Sequence, residues 1–305
     1  MELSLAPLQT YTDFHFRNCF QQVFSGVDKF YAPYLKLNND STIKENTKID
    51  ILPKNNPFQK VTPQLMACSP SEFLLIEDYI LSQGYDEVNW NMGCPYPMVT
   101  NKNWGAGILN KPDDLKRNLD EICSKSKLKL GIKMRMGLES TEEILSILPI
   151  LNDFPLTEVI IHGRFAKQLY TGKPDKNRFE ECLKISKHPL CYNGDVDSIE
   201  EYENVKALFP TLKKVMIGRA AISKPWIFEE ILGIETGNHS ERIVKFTELL
   251  YESCLKSKGQ KGYALQKIKS YWEYFSEGVE DGKQHYRKLK KMSTSTDFFD
   301  YLSQI

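Results

Sequence analysis

The segment Asn91-Met92-Gly93-Cys94-Pro95 ends a β-rich run with a single cysteine held between a glycine and a proline. A thiol there can act as a proton donor, because an ordinary cysteine, with a pKa near about 8.5, is mostly protonated at neutral pH. It can instead be a thiolate nucleophile if a neighbouring cation or base lowers its pKa, and Lys133 or His162 would serve. It can also simply pack, the usual fate of a buried free cysteine. Similar polar endings recur along the chain: Ala6-Pro7-Leu8, Gln64, Lys133 with Arg135, His162-Gly163-Arg164, Asn193-Gly194-Asp195 and Gly218-Arg219. Lys133, Arg135 and His162 are groups that stabilise developing negative charge. Gly194 and Gly218 either turn tight corners or let backbone N–H groups, with Arg219, close around a phosphate.

These endings gain meaning from the elements that carry them. Eight β-rich runs, at 3–7, 30–35, 63–67, 87–93, 129–135, 158–163, 190–194 and 214–218, alternate with amphipathic stretches such as 70–83, 112–124, 141–152 and 198–208. Strand–helix alternation of this kind predicts a parallel sheet with helical crossovers, and eight units predict closure into an α/β (β/α)8 TIM barrel, whose active site lies at the C-terminal ends of its strands. All the polar endings then converge on one face. Segment 36–57, rich in Asn, Lys and Thr, predicts an irregular excursion where the second crossover helix should be. After Gly237 only helical patterns remain, at 240–255, 263–275 and 298–302, predicting a barrel domain of residues 1–237 and a helical C-terminal domain of residues 238–305.

Composition excludes several classes. Forty Lys+Arg balance 40 Asp+Glu in 305 residues, which argues against coating nucleic acid or membrane by bulk charge. Seven cysteines form no CxxC pair and no zinc-like spacing with histidine, so neither a disulfide framework nor a metal is expected. The N-terminus carries no basic leader before an apolar run, and no stretch approaches eighteen apolar residues, so the expectation is a cytoplasmic protein without a membrane span.

The block NMGCPYPMVTNKNWGAGIL, residues 91–109, resembles the tRNA-dihydrouridine synthase family. LAPLQTYTD with Arg17, GIKMRMG, IIHGRFAKQLYTG, YNGDV and VMIGRAAISKPWIF follow in the family's order, so the resemblance runs through nearly the whole chain. It implies an FMN enzyme that reduces the 5,6 double bond of uridines in tRNA, with NADPH as reductant. Pro7, Gln64, Lys133, His162, Asn193, Gly194, Asp195, Gly218 and Arg219 would surround FMN, with Gly194, Gly218 and Arg219 near its phosphate, and Asn91 and Arg135 would meet the uracil. Leu8, Ala67 and Trp104 depart from the family pattern, where Met, Gly and Gly are common.

In that reaction a hydride adds at C6 and a proton at C5, and the resemblance assigns the proton to Cys94. The base must first leave the RNA stack, at a cost of a few kcal/mol that protein contacts offset. Residues 256–291 offer ten basic against four acidic side chains, interleaved with Tyr263, Tyr271, Trp272 and His285, a composition that pairs phosphate contacts with stacking, or else an ordinary Lys-rich helix surface with its aromatics in the core. Two rival readings are a dihydroorotate-dehydrogenase-like barrel reducing a small molecule, and a tRNA-binding relative without catalysis.

Overall fold

The computed structural model describes residues 1–58 and 60–305. Nine parallel strands, β1 (Glu2–Leu5), β2 (Lys29–Tyr31), β3 (Val61–Thr62), β4 (Gln64–Leu65), β5 (Glu87–Met92), β6 (Lys129–Arg135), β7 (Leu156–His162), β8 (Leu190–Asn193) and β9 (Lys214–Ile217), lie in the order β3-β2-β1-β9-β8-β7-β6-β5-β4. The two ends of that order are consecutive in sequence. Pro63, which has no N–H to give a ladder, splits one stave into β3 and β4. Its carbonyl still accepts from the Asn89 N–H at 2.9 Å, and Leu35 N–H donates to the Gln64 carbonyl at 2.8 Å. The ring therefore closes with eight staves, as the sequence predicts.

Between the strands run α1 (Phe14–Val23), α2 (Glu45–Lys48), α3 (Pro70–Ser82), α4 (Pro97–Thr100), α5 (Pro112–Lys125), α6 (Ile144–Leu151), α7 (Lys176–Ile185) and α8 (Ile199–Leu208), and after β9 come α9 (Arg219–Ser223) and α10 (Ile227–Leu232). Their starts are written in the sequence. Asp13, Ser69, Asp175 and Ser198 each accept a backbone N–H from the first turn of α1, α3, α7 and α8. Segment 36–57 is irregular as expected: one helical turn, α2, and two 3-10 turns replace a crossover helix. Buried Arg17 of α1 holds it, with Nη1 3.2 Å from Asp50 and Nη2 donating to the Asp50 carbonyl (2.9 Å) and Asn56 Oδ1 (2.8 Å).

Apolar packing falls into two bodies. The large one lies between sheet and helices, and a small one, Ala6, Tyr31, Ile160, Cys191 and Met216, fills the barrel interior. Below it, at the N-terminal end of the strands, Glu158 is buried and accepts from Lys29 and Lys214, each at 3.0 Å, and from the Tyr31 hydroxyl. Burial would raise the Glu158 pKa, but Lys29, Tyr31 and Lys214 outweigh it and hold the carboxyl below the ordinary glutamate value.

Four helices close the chain: α11 (His239–Lys258), α12 (Lys261–Phe275), α13 (Gly282–Leu289) and α14 (Ser295–Leu302). They pack against the barrel through α1, where Phe246 meets Phe16 and Phe24 edge-on at 5.2 and 5.3 Å. Arg242 pairs with Glu229 of α10 at 2.7 Å and also donates to the Val23 carbonyl. The structure divides the basic and aromatic residues of 256–291 between core and surface. Tyr271 and Trp272 are fully buried, Lys267 pairs with Asp13 at 3.0 Å, and Lys269 caps the Lys290 and Met292 carbonyls. The physical reason is that α12 is covered by α11 on one side and by the barrel's first loop on another, so its regular spacing serves core rather than ligand. Lys256, Lys258, Lys261, Lys283, Arg287, Lys288, Lys290, Lys291 and Tyr263 remain exposed.

Candidate active site

At the C-terminal mouth of the barrel a cavity of about 690 Å³ is lined by Pro7, Asn91, Cys94, Lys133, Arg135, His162, Asn193, Gly194, Asp195, Gly218 and Arg219. Of the twelve residues singled out from the sequence, only Gln64 lies outside this lining. It is fully buried one layer below, where its Oε1 accepts from Asn91 Nδ2 and its Nε2 donates to Asn89 Oδ1, both at 2.8 Å.

Asn91 builds the turn that presents Cys94. Its Oδ1 accepts from the N–H groups of Gly93 (3.1 Å) and Cys94 (3.0 Å), leaving one Nδ2 hydrogen for the cavity. On the other side of the cysteine, Ala106 N–H donates to the Cys94 carbonyl at 3.1 Å. Gly105, at φ +54°, lies so close that a Cβ there would sit 2.7 Å from the Cys94 carbonyl oxygen. Trp104, one of the departures from the family pattern, donates its indole N–H to Glu72 Oε2 at 2.9 Å and so ties this loop to α3. Burial pushes the Cys94 thiol above its ordinary value, against the lowering influence of the Tyr96 N–H, Tyr34, Arg135 and Lys36. The group is a thiol at neutral pH.

Opposite stand cations with few acidic partners. Lys133 Nζ donates to Asn193 Oδ1 at 2.9 Å and, among the described residues, forms no ion pair; burial and the nearby Arg135 lower its pKa to about 8. Asn193 is fixed in turn by donating to the Met216 carbonyl at 2.8 Å. His162 is held well below its ordinary pKa, first by burial and then by Arg135, Lys133, Arg164 and Arg219, so it is neutral. Arg164 Nη1 lies 3.3 Å from His162 Nε2; since the guanidinium can only donate, Nε2 is the acceptor and the ring proton sits on Nδ1. Arg135 is committed to loop carbonyls, Gly93 (3.2 Å), Phe165 (3.0 Å) and Leu169 (2.6 Å). Asp195 bridges Arg164 (2.9 Å) and Arg219 (2.7 Å), which hold its carboxyl below the ordinary range despite burial.

Several lining residues were not singled out from the sequence. Tyr170 lies under Arg219 at 4.5 Å and Arg135 at 5.2 Å; it sits inside the IIHGRFAKQLYTG block, so a signal was present. Tyr34, Glu273, Tyr274 and Glu277 carried none, because β2's extension and α12 reach the mouth only through the folded packing.

The family model described as Dihydrouridine synthase (Dus) matches residues 4–304. The chain belongs to the dihydrouridine synthase family. Among members of that family it is 29% identical over 235 residues to the "Probable tRNA-dihydrouridine synthase" of Helicobacter pylori, covering 75% of this chain and 69% of that one. It is 24% identical over 285 residues to "tRNA-dihydrouridine synthase B" of Pasteurella multocida, covering 93% and 81%. A 36% identical stretch of 149 residues matches the "tRNA-dihydrouridine(47) synthase [NAD(P)(+)]-like" protein of Arabidopsis thaliana; it takes in 48% of this chain but spans only 22% of that protein's length. Similar solved structures include morphinone reductase in complex with tetrahydroNAD (TM-score 0.53, 11% identity, 79% of this chain and 90% of that one). Histamine dehydrogenase from Rhizobium sp. 4-9 is another (TM-score 0.57, 8% identity, 81% and 49%). These two likenesses speak to the shared barrel fold. Among the described residues no helix is long and apolar enough to cross a membrane.

Proposed function

We propose that this dihydrouridine synthase family member reduces specific uridines of tRNA, with FMN in the 690 Å³ cavity, NADPH as reductant and Cys94 as proton donor. The observation that carries the reading is the meeting, at one barrel mouth, of a protonated half-buried thiol with a wall of cations short of acidic partners. The wall fits a phosphorylated flavin. Lys133 has N–H groups to spare, and a Cβ at Gly218 would meet only Ala6 at 3.6 Å, so packing does not demand that glycine, whereas an open phosphate cradle would. Gly194, Gly218 and Arg219 would hold the phosphate, and Pro7, Lys133, His162 and Asn193 the ring system. The names of the plant and animal relatives, which carry NAD(P)(+), support a nicotinamide reductant.

Held here, FMN would supply the reducing chemistry, a hydride for C6 of the uracil. The chain's own residues do the rest. Cys94 Sγ holds a proton because burial disfavours its thiolate, and releases it to C5 as the S–H bond breaks and the C5–H bond forms. Lys133 and Arg135, one a free ammonium and the other a fixed guanidinium, stabilise the negative charge that builds on the pyrimidine before the proton arrives. Neutral His162 can donate a hydrogen bond from Nδ1 without adding a charge. Asn91 keeps one N–H for the base edge. The exposed cations Lys283, Arg287, Lys288, Lys290 and Lys291 would meet the tRNA backbone, making residues 238–305 the docking domain beside a catalytic barrel of residues 1–237. Cytoplasmic residence is compatible with that substrate.

The test is nucleoside analysis of tRNA treated with wild type and with Cys94→Ala, each assayed also on free uridine and a simple enone. We expect dihydrouridine in tRNA from wild type only, roughly 10²–10⁴ less from the variant, and equal flavin content in both proteins. Full turnover by Cys94→Ala would overturn the acid assignment; turnover of the free small molecules alone would favour the reductase rival.

A further inference from the structure

The inner face of β5 runs from the floor of the barrel to its mouth. Side chains alternate along a strand, so while Val88, Trp90 and Met92 join the outer apolar body, Glu87, Asn89 and Asn91 face inward. Glu87 meets Lys29 at 2.8 Å near the floor, Asn89 lies in the layer above, and Asn91 turns the chain at the rim. The parallel register sets Asn89 between Gln64 on one neighbouring strand and Gly131 on the other. A glutamine is one methylene longer than an asparagine, and Gln64 uses that length to touch two layers at once. Its Nε2 donates to Asn89 Oδ1 and its Oε1 accepts from Asn91 Nδ2, both at 2.8 Å, and all three amides are buried.

These bonds run in one direction only. Backbone N–H groups can only donate, so those of Gly93 (3.1 Å) and Cys94 (3.0 Å) require the oxygen end of the Asn91 amide. Asn91 is left with Nδ2 for Gln64, which must answer with Oε1, and Gln64 Nε2 must then find an acceptor below. Asn89 Oδ1 is that acceptor. The other end of the Asn89 amide is turned toward Gly131, where a Cβ would come within 3.4 Å of Nδ2 and where, among the described residues, Nδ2 has no partner. The chain of amides therefore begins at Asn89 and ends at the cysteine.

We infer that Asn89 is a positioning residue for the proton donor, acting through Gln64 and Asn91 to fix the amide orientation on which the Cys94 turn depends. The inference rests on the reading of Cys94 as the acid. Without the Asn89 oxygen, Gln64 Nε2 loses its acceptor inside the barrel, and it regains one when it rotates toward Asn91 and Asn91 rotates in turn to offer Oδ1. Asn91 then shows its Nδ2 to the N–H groups of Gly93 and Cys94. Donors facing donors cannot hold the turn, so a fault two layers down is passed up to the sulfur-bearing loop.

The experiment is hydrogen exchange resolved to single amides by mass spectrometry across residues 87–96 of the flavin-loaded protein. It compares wild type with Asn89→Leu, the milder Asn89→Ser, and Asn89→Asp, which keeps an oxygen toward Gln64; melting temperature, flavin content and turnover on tRNA are measured alongside. We expect the Gly93 and Cys94 amides to exchange about tenfold faster in the Leu and Ser variants, the worth of roughly one hydrogen bond, while Val88 and Trp90 inside β5 stay protected. Turnover should fall roughly 10–10²-fold with flavin retained, and Asn89→Asp should recover most of both the protection and the rate. A merely structural role for Asn89 would loosen Val88 and Trp90 as much as Gly93 and Cys94; that result overturns the inference, as does unchanged exchange at Gly93 and Cys94 in either folded variant. Unchanged exchange beside an inactive Cys94→Ala removes the amide chain and leaves the acid. Selective exchange beside a fully active Cys94→Ala leaves the amide chain and removes the acid reading.

Discussion

Gly105→Ala is the sharpest probe of how the site is built. Gly105 adopts φ +54°, where an L-residue costs roughly 1–2 kcal/mol. Its new Cβ would sit 2.7 Å from the Cys94 carbonyl oxygen, 2.8 Å from the Cys94 Cβ and 3.1 Å from the Cys94 nitrogen. None of these is a side-chain tip that can rotate away, so overpacking adds about 1–3 kcal/mol. The loop must open by several tenths of an ångström, and the atom it displaces is the root of the proposed proton donor. A misplacement approaching 1 Å costs on the order of 10² in rate. We expect melting to fall by roughly 5–10 °C, turnover on tRNA to fall about 10²-fold, and flavin content to hold, since Gly105 does not line the cavity. Gly259→Ala is the control: it has a similar φ, +66°, but no atom within 4 Å of its new Cβ, so it carries the backbone strain without the clash. Its turnover should match wild type. Wild-type activity and melting in Gly105→Ala would refute the claim that this glycine sets the cysteine.

Two further predictions follow from buried charge. Lys133, whose pKa falls from 10.5 to about 8 on folding, binds fewer protons folded than unfolded between those values, so its contribution makes the flavin-free protein more stable as pH rises from 8 to 10.5. Lys133→Met should abolish that rise and stabilise the flavin-free protein at pH 7 by up to about 3 kcal/mol, while weakening flavin retention; a destabilised variant in urea melts would contradict the assignment. Glu158→Gln leaves Lys29 and Lys214 beneath the barrel without their shared carboxylate and should cost about 3 kcal/mol at pH 7. The Glu158 pKa is depressed on folding, so the wild-type advantage should shrink as pH falls through and below the ordinary glutamate range; a gap that stays constant down to pH 3 would argue against the ion triad.

The barrel was legible because its staves are short β-rich runs closed by glycine, proline or a polar group, most are followed by a helix, and four of those helices carry a side-chain N-cap. The mouth was legible for the same reason, since polar side chains at strand ends can converge only where the strands do. What stayed hidden depends on packing between distant segments. Nothing near Arg17 in sequence says that its guanidinium will be buried against Asp50 and Asn56, some 33–39 residues on. Lys267 and Tyr271 recur at helical spacing with the look of a basic, aromatic surface, yet that face is turned onto Asp13 and Tyr11. Gln64 follows the family motif, but its position below Asn91 depends on the stave broken at Pro63.

That inward face of α12 has a consequence for how the two parts of the chain can diverge. Lys267 and Tyr271 grip the carbonyls of Thr10 and Tyr11, while Glu273, Tyr274 and Glu277, a turn further on, form part of the cavity wall itself. The C-terminal helices are therefore built into the cavity wall rather than merely appended to the barrel. If residues 238–305 dock the tRNA as proposed, a load on this helix is delivered within about one turn to the rim where the base would settle, so binding there and chemistry would be mechanically coupled.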